Sequence, residues 1–303
     1  DSRDLFDELV REEGLACHYR PTGYYEVYRT EKGMAGAREE IPLQRAYGYD
    51  TQEVAGETLR EYEPALKPGT LGGLFFPEAA VVDPLLFLEE LAEAAISRGM
   101  TLRTGAEVKS LVASGGKVGG VRLSHGEVVD GDAVVLATGA YSLKLARIGG
   151  LALPIQPAKG YHRDLPVGFG GAPELNITVM LGERYVFCTP LGGFLRLAGT
   201  LELSGLNHRM VGPRLSNLNE SAAQYVEGME NPVSTDDWVG LRPVTPDGMP
   251  MIGAAPAIEG LYVANGHAML GLTLGPVTGK LMADMIVGKK PSRDLAPLRP
   301  DRF

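Results

Sequence analysis

Two cysteines among 303 residues, Cys17 and Cys188, are too few and too far apart to staple a fold or to form a paired metal-ligand motif. Both are expected to be buried, reduced thiols, as in a cytoplasmic protein. The five histidines, His18, His125, His162, His208 and His267, have no ligand spacing among themselves or with the cysteines, so no metal set is expected. No apolar run reaches the roughly 18 residues of a membrane span. Basic residues are the minority, 29 Lys and Arg against 38 Asp and Glu, and at a net charge of −9 a phosphate backbone would be repelled rather than attracted. No G-x-S-x-G elbow occurs, which sets aside a serine hydrolase of that kind. Also missing is a strand, G-x-G-x-x-G turn and helix in succession. Only Gly115-Gly116-Lys117-Val118-Gly119-Gly120 comes near it, and that run precedes a strand, so it reads as a hairpin turn.

What is present suits a globular chain. A hydrophobic share of 44% is enough for a core, and the length allows two domains that share an interface. The first apolar face, Leu5, Phe6, Leu9 and Val10, is helical and stops at Gly14. A strand is expected over residues 23–30 and helical pieces over 31–63, followed by Gly72 to Pro77. Asp83 and Pro84 read as the N-cap and first residue of a helix that buries Phe87, Leu88, Leu91, Ala92 and Ala95. Short strands are expected at 101–103, 107–113, 118–123 and 128–129, a meander with tight turns. Residues 132–140 form an apolar run ending in small residues that include Ala137-Thr138-Gly139, the form of a buried parallel strand whose carboxyl end faces a ligand. Further strands are expected at 155–161, 176–181, 184–189 and 194–202, then a polar helix at 214–229.

The densest signal is Trp238 to Met282: W-V-G-L-R-P-V-T-P-D-G-M-P-M-I-G, a short link, then L-Y-V-A-N-G-H-A-M-L-G-L-T-L-G-P-V-T-G-K-L-M. It reads as strand, strand and a helix entered through Gly275 and Pro276. Its glycines leave room for a planar ligand against the backbone near a positive helix end. This string resembles the C-terminal flavin site of the FAD-dependent amino acid oxidoreductases, the glycine oxidase and D-amino acid dehydrogenase family. About forty-five residues carry the resemblance, judged against glycine-rich turns of ordinary α/β proteins.

The resemblance implies an α/β fold: a partial two-dinucleotide, Rossmann-like FAD-binding domain (1–14, 78–150 and 236–303) beside a substrate domain with an antiparallel sheet (15–77 and 151–235). It implies that Arg242 binds a substrate carboxylate, for which a planar guanidinium fork has the right shape. His267 would lie near the flavin ring or shape its loop. Tyr161, in a K-G-Y segment with Lys159, would line the pocket or enter the core. Tyr185 would stand in for the tyrosine that relatives carry near Phe187, on the same strand face. Met269 replaces a second arginine found in some relatives, which weakens the glycine oxidase reading. Cofactor contacts are implied for Val108, Ala137, Thr138, Gly139, Gly253, Gly266, His267, Leu270, Gly271, Leu272 and Thr273.

The implied activity is oxidative deamination of a small amino acid, D-configured or glycine- or sarcosine-like. Hydride would pass from the α-carbon to flavin N5, and the imino acid would hydrolyse to a 2-oxo acid and ammonia. The alternative is a non-catalytic remnant or subunit of this fold that holds no FAD by itself. Oxygen or a respiratory chain would accept the electrons, the latter allowing peripheral contact with an inner membrane. Because the sequence starts at Asp1 in mid-helix and shows no pyrophosphate-binding turn, it reads as part of a longer protein, or as a chain whose partner supplies the dinucleotide-binding unit.

Overall fold

A computed structural model describes residues 2–142, 151–168, 171–230 and 232–303. Local sequence sets its elements. Helix α1 (Ser2–Glu13) turns Phe6 inward. Strand β1 (Tyr24–Tyr28) alternates half-buried and buried residues, and α2 (Glu31–Ala46) starts at Thr30, whose hydroxyl accepts from the Gly33 amide. Strand β2 (Gln52–Ala55), helix α3 (Gly56–Tyr62) and β3 (Gly72–Phe76) follow. Helix α4 (Pro84–Ser97) begins as its sequence implies, with the Asp83 carboxylate accepting from the amides of Leu85 and Leu86 and Pro84 in the first turn.

The largest element is an eight-stranded sheet that mixes pairs consecutive in sequence with pairs from distant parts of the chain. Besides β1, β2 and β3 it uses β8 (Gln156–Pro166), β9 (Thr178–Leu181), β10 (Val186–Leu191), β11 (Phe194–Glu202) and β12 (Asp236–Val244), in the order β12-β8-β11-β10-β9-β1-β3-β2. It is mixed rather than purely antiparallel, because β1 and β9 come from distant parts of the chain and pair in parallel. Helix α5 (Gly212–Tyr225) covers one face, burying Leu215, Leu218, Ala222 and Tyr225 against Tyr161, Leu165, Leu195, Leu197 and Val239. Residues one step along each strand point the other way. That second face carries Trp238, Gly240 and Arg242 of β12, Ala158, Gly160 and His162 of β8, and Ala198 and Phe187 beyond them.

Two smaller sheets lie apart from this one. Strands β4 (Val108–Ser114), β5 (Lys117–Leu123) and β6 (Val128–Asp130) form the expected meander, with Gly115 and Gly116 both at positive φ in its first turn. Strands β7 (Val134–Leu136), β13 (Met251–Ala254) and β14 (Leu261–Asn265) make the order β13-β14-β7, with β14 parallel to β7. Among the described residues β7 has no strand on its other side. Helix α6 (Gly271–Ile286) follows, and its Leu272 joins Phe6 and Phe87 in one cluster with α1 and α4. Between these three helices runs a groove of about 830 Å³, lined by Leu5, Leu9, Leu88, Leu91 and Pro276 among others.

The structure corrects several expectations. Residues 101–103 form no strand, since none lies beside them to complete a ladder. Residues 236–244, assigned from sequence to the cofactor domain, pair along their whole length with β8 of the large sheet. Helix α6 begins at Gly271, so Pro276 sits within it rather than at its entrance. Both cysteines are free and buried, as expected, and burial pushes the Cys188 thiol up to about 12. Among the described residues no helix is long and apolar enough to cross a membrane.

Behind the sheet, the buried Lys159 ammonium donates to Glu202 Oε1 at 3.3 Å and to the Arg209 carbonyl at 3.0 Å, while the Tyr161 hydroxyl donates to Glu202 Oε2 at 2.9 Å. Contacts from Ser204 first, then from Tyr161 and Lys159, hold the Glu202 carboxyl down at about 2. A depressed carboxyl contributes stability above its unfolded value, and that contribution is lost as pH falls through the folded one. Chemical denaturation of the parent chain should therefore lose stability between about pH 4.5 and about 2, and Glu202→Gln should remove that share of the slope. In the same assay Leu218→Ala, beneath α5, should lower the midpoint by an amount equivalent to about 3 kcal/mol. An unchanged midpoint would mean that α5 does not pack as described.

Candidate active site

Arg242 sits on the sheet face that α5 leaves open, and the backbone is shaped around it. Its cross-strand diagonal neighbour is Gly160, where a Cβ would overlap the Arg242 guanidinium. Only glycine lets the side chain lie flat across β8. Arg242 Nη1 donates to the Thr200 carbonyl at 2.7 Å and to the Lys159 carbonyl at 3.3 Å. The first acceptor is aimed by a bulge: between Gly199 and Glu202 strand β11 spends one residue more than β8 does, and Thr200 adopts φ 70°. No carboxylate among the described residues pairs with Arg242, and burial draws its pKa downward with no acid to oppose it. A half-buried cation with one edge fixed by carbonyls, and no counter-ion among the described residues, has donors left over that an anion could satisfy.

A second group of residues converges where β7, β14 and α6 meet. Asn265, buried at the end of β14, donates from Nδ2 to the Gly139 carbonyl at 3.1 Å and to the Ser142 hydroxyl, and its Oδ1 accepts from the Gly266 amide at 2.6 Å. Ser142 in turn meets the Thr138 hydroxyl at 2.7 Å. One side chain thus binds the Ala137-Thr138-Gly139 loop to the Gly266-His267 turn. Gly266 has φ 77°, and a Cβ there would press on Thr245 at 2.6 Å. The turn is also tied to the Arg242 strand, since the Ala268 amide donates to the Pro243 carbonyl at 3.0 Å. His267 Nε2 meets the Thr278 hydroxyl at 2.9 Å, and burial lowers its pKa, which keeps the imidazole neutral. Helix α6 starts at Gly271 without a side-chain cap, so the amides of Gly271, Leu272 and Thr273 face outward at its positive end.

The structure does not bring every expected residue here. Tyr161 lies on the α5 face, fully buried, one step along β8 from Gly160 and therefore on the side opposite Arg242. Lys159 shares that orientation. Tyr185 is not on the strand face of Phe187: it ends the turn before β10 at φ 52° and is 74% exposed. Phe187 does belong to the open face, in register with Ala198. Gly253 lies within β13, where a Cβ would meet Pro300 Cδ at 3.1 Å, so its lack of a side chain serves the C-terminal segment. Val108 packs on the cluster of Leu136 and Val263, beside β7. Met269 is exposed next to the His267 turn.

Sequence reasoning missed Asn265, Gly160 and Trp238. The first two stand inside the quoted V-A-N-G-H and K-G-Y runs, where a buried amide and a bare strand glycine were the available signals. Nor did it foresee that His162, Asp164 and Asp236 come together with ligand atoms within 4.8 Å of one another. Asp164 is already committed there, receiving Arg196 on both oxygens at 2.8 and 2.7 Å.

The family model for FAD-dependent oxidoreductases, DAO, matches residues 1–285. The chain is 37% identical over 298 residues to a D-amino acid dehydrogenase of Methylobacterium nodulans, covering 96% of this chain and 69% of that protein. It is 34% identical to a D-amino acid dehydrogenase of Bradyrhizobium diazoefficiens, covering 100% and 72%. Among solved structures, glycine oxidase from Geobacillus kaustophilus superposes with a TM-score of 0.92 at 28% identity, covering all of this chain and 81% of that one. An expectation drawn from a glycine-rich terminal string thus agrees with likeness along nearly the whole length: the chain belongs to the DAO family of FAD-dependent oxidoreductases.

Proposed function

We propose that this protein oxidises the C–N bond of a small amino acid, D-configured or glycine- or sarcosine-like, yielding an imino acid that hydrolyses to a 2-oxo acid and ammonia. The observation that carries this reading is Arg242: a guanidinium fixed by two backbone carbonyls, lying over a glycine, with no acidic partner among the described residues. An α-carboxylate would complete its charge and its hydrogen bonds together. Holding the carboxylate fixes where the α-carbon stands, and orientation of that kind can supply several kcal/mol of a barrier, up to about 7 or more when complete.

The residues present fit the ring end of FAD. Gly139 has open space where a Cβ would be, Gly266 and the uncapped amides of Gly271 to Thr273 leave donors and room, and neutral His267 lies between them. Ala137, Thr138, Gly139, Gly266, His267, Leu270, Gly271, Leu272 and Thr273 would hold the cofactor, with Val108 farther along the same core. Bound FAD would supply the two-electron acceptor. The protein's part is to bind the carboxylate, orient the α-carbon and keep His267 uncharged beside the ring.

The edge of β7 and the groove between α1, α4 and α6 suit a strand–turn–helix unit that would hold the diphosphate of FAD. Such a unit would come from further residues of the same protein or from a partner chain. Gly275 and Gly279 on α6 support this, since nothing lies within 4 Å of where their Cβ atoms would be.

Arg242→Ala should reduce kcat/KM for carboxylated amines by the equivalent of about 2 to 5 kcal/mol while leaving bound flavin absorbance unchanged. An unchanged kcat/KM for every amino acid tried would refute the carboxylate role, and a colourless protein that takes up no FAD would favour the non-catalytic alternative. Gly160→Ala should act in the same direction by displacing the guanidinium, raising KM more than it lowers kcat. Steady-state kinetics with a substrate series would show either pattern.

A further inference from the structure

On the open face, two steps before Arg242 along β12, stands Gly240, and two steps before that Trp238, the one tryptophan of the chain. The indole does not stand out from the strand. It folds over Gly240, where a Cβ would overlap the far edge of its six-membered ring. It also stacks on His162, with centroids 5.0 Å apart and planes within 14°. Despite these contacts the residue stays 51% exposed. Gly240 and Gly160 are direct partners in the β12–β8 ladder. Paired α-carbons of an antiparallel ladder lie about 4.5 to 5.5 Å apart, so the indole over one glycine and the guanidinium over the other are neighbours.

This arrangement gives the anion site an apolar wall. Beyond the wall the same face continues with Asp236, exposed, and Asp164, neutralised by Arg196. A second carboxylate reaching that far would meet Asp236 and be repelled.

We propose that Trp238, backed by His162, is the specificity surface of this site, and that it moves the preference from the smallest amino acids named above to those with a planar apolar side chain, the aromatic ones foremost. The inference rests on the reading of Arg242 as the carboxylate anchor. With the carboxylate on Arg242, the side chain would leave an α-carbon one bond away, beside the indole, where a flat group could make contact at roughly 3.5 to 4 Å. Flat rings gain more from such a surface than compact side chains do, through stacking in addition to area buried.

The test uses Trp238 itself as a reporter, since the emission of the whole chain from tryptophan comes from this position. Titrating the purified protein with 3-phenylpropionate and with propionate should change the emission with both acids. Half-saturation should come at roughly tenfold lower concentration for the aromatic one. By calorimetry, Trp238→Leu should lose that preference and Trp238→Phe should keep most of it. Arg242→Met should abolish binding of both acids. Equal affinity for the two acids in the parent chain, or a preference that survives Trp238→Leu, would overturn the specificity role and leave the anchor intact. Binding of both acids unchanged by Arg242→Met, or no binding of either, would remove the anchor and the inference with it.

Discussion

A charged side chain withdrawn from water must find its hydrogen bonds and its counter-ion elsewhere, and much of this structure is arranged to give Arg242 only the first. Two carbonyls hold one edge of the guanidinium. Supplying them takes a bulge in β11 and a threonine in the left-handed region, a conformation that costs on the order of 1 kcal/mol or more for a residue with a β-carbon. The flat lie of the side chain takes a glycine in the adjacent strand. A surface arginine would need none of these, because solvent would serve it. The lack of a counter-ion among the described residues is consequently a property of the fold, and it is the ground for reading Arg242 as an anion anchor.

The same logic orders the elements around it. Around β8 to β12 the eight-stranded sheet has one face covered by α5 and the other open, while α2 packs on that second face only at the β1–β3 end, so period-two alternation sorts residues into core and site. Strand β12 belongs to this sheet but runs on, through Pro243 and Thr245, into contact with the Gly266–Ala268 turn. Asn265 joins that turn to the loop after β7. Arg242 and the residues proposed to hold FAD are thereby linked through a short stretch of ordered backbone, which is what the proposed transfer between substrate and cofactor would require of a scaffold.

How much of this could be read from the chain depended on the kind of signal. The Asp83-Pro84 helix start, the Gly115-Gly116 turn and the small-residue ends of β7 and β14 were legible because each is local: a cap, a left-handed turn and a buried strand end leave marks within a few residues. Tyr161 and Gly160 show where locality fails. In an alternating strand a shift of one residue exchanges faces, and K-G-Y does not say which of its members looks toward Arg242. The structure gives that face to the glycine. Strand parity does not reach Tyr185, because that residue lies in a turn at positive φ. The assembly of His162, Asp164 and Asp236, and the glycine pair beneath Trp238 and Arg242, depend on register between strands some eighty residues apart in sequence. No single-chain periodicity contains that information.

A crystal structure with a bound 2-oxo acid or amino acid examines the state of the Arg242 guanidinium most directly. The carboxylate should occupy Arg242 Nη2 and Nε, with Nη1 still donating to the carbonyls of Thr200 and Lys159 and the ligand's α-carbon turned toward the Gly266-His267 turn. A carboxylate bound elsewhere, with Arg242 unchanged beside it, would contradict the claim that the fold keeps this cation unpaired in order to receive one.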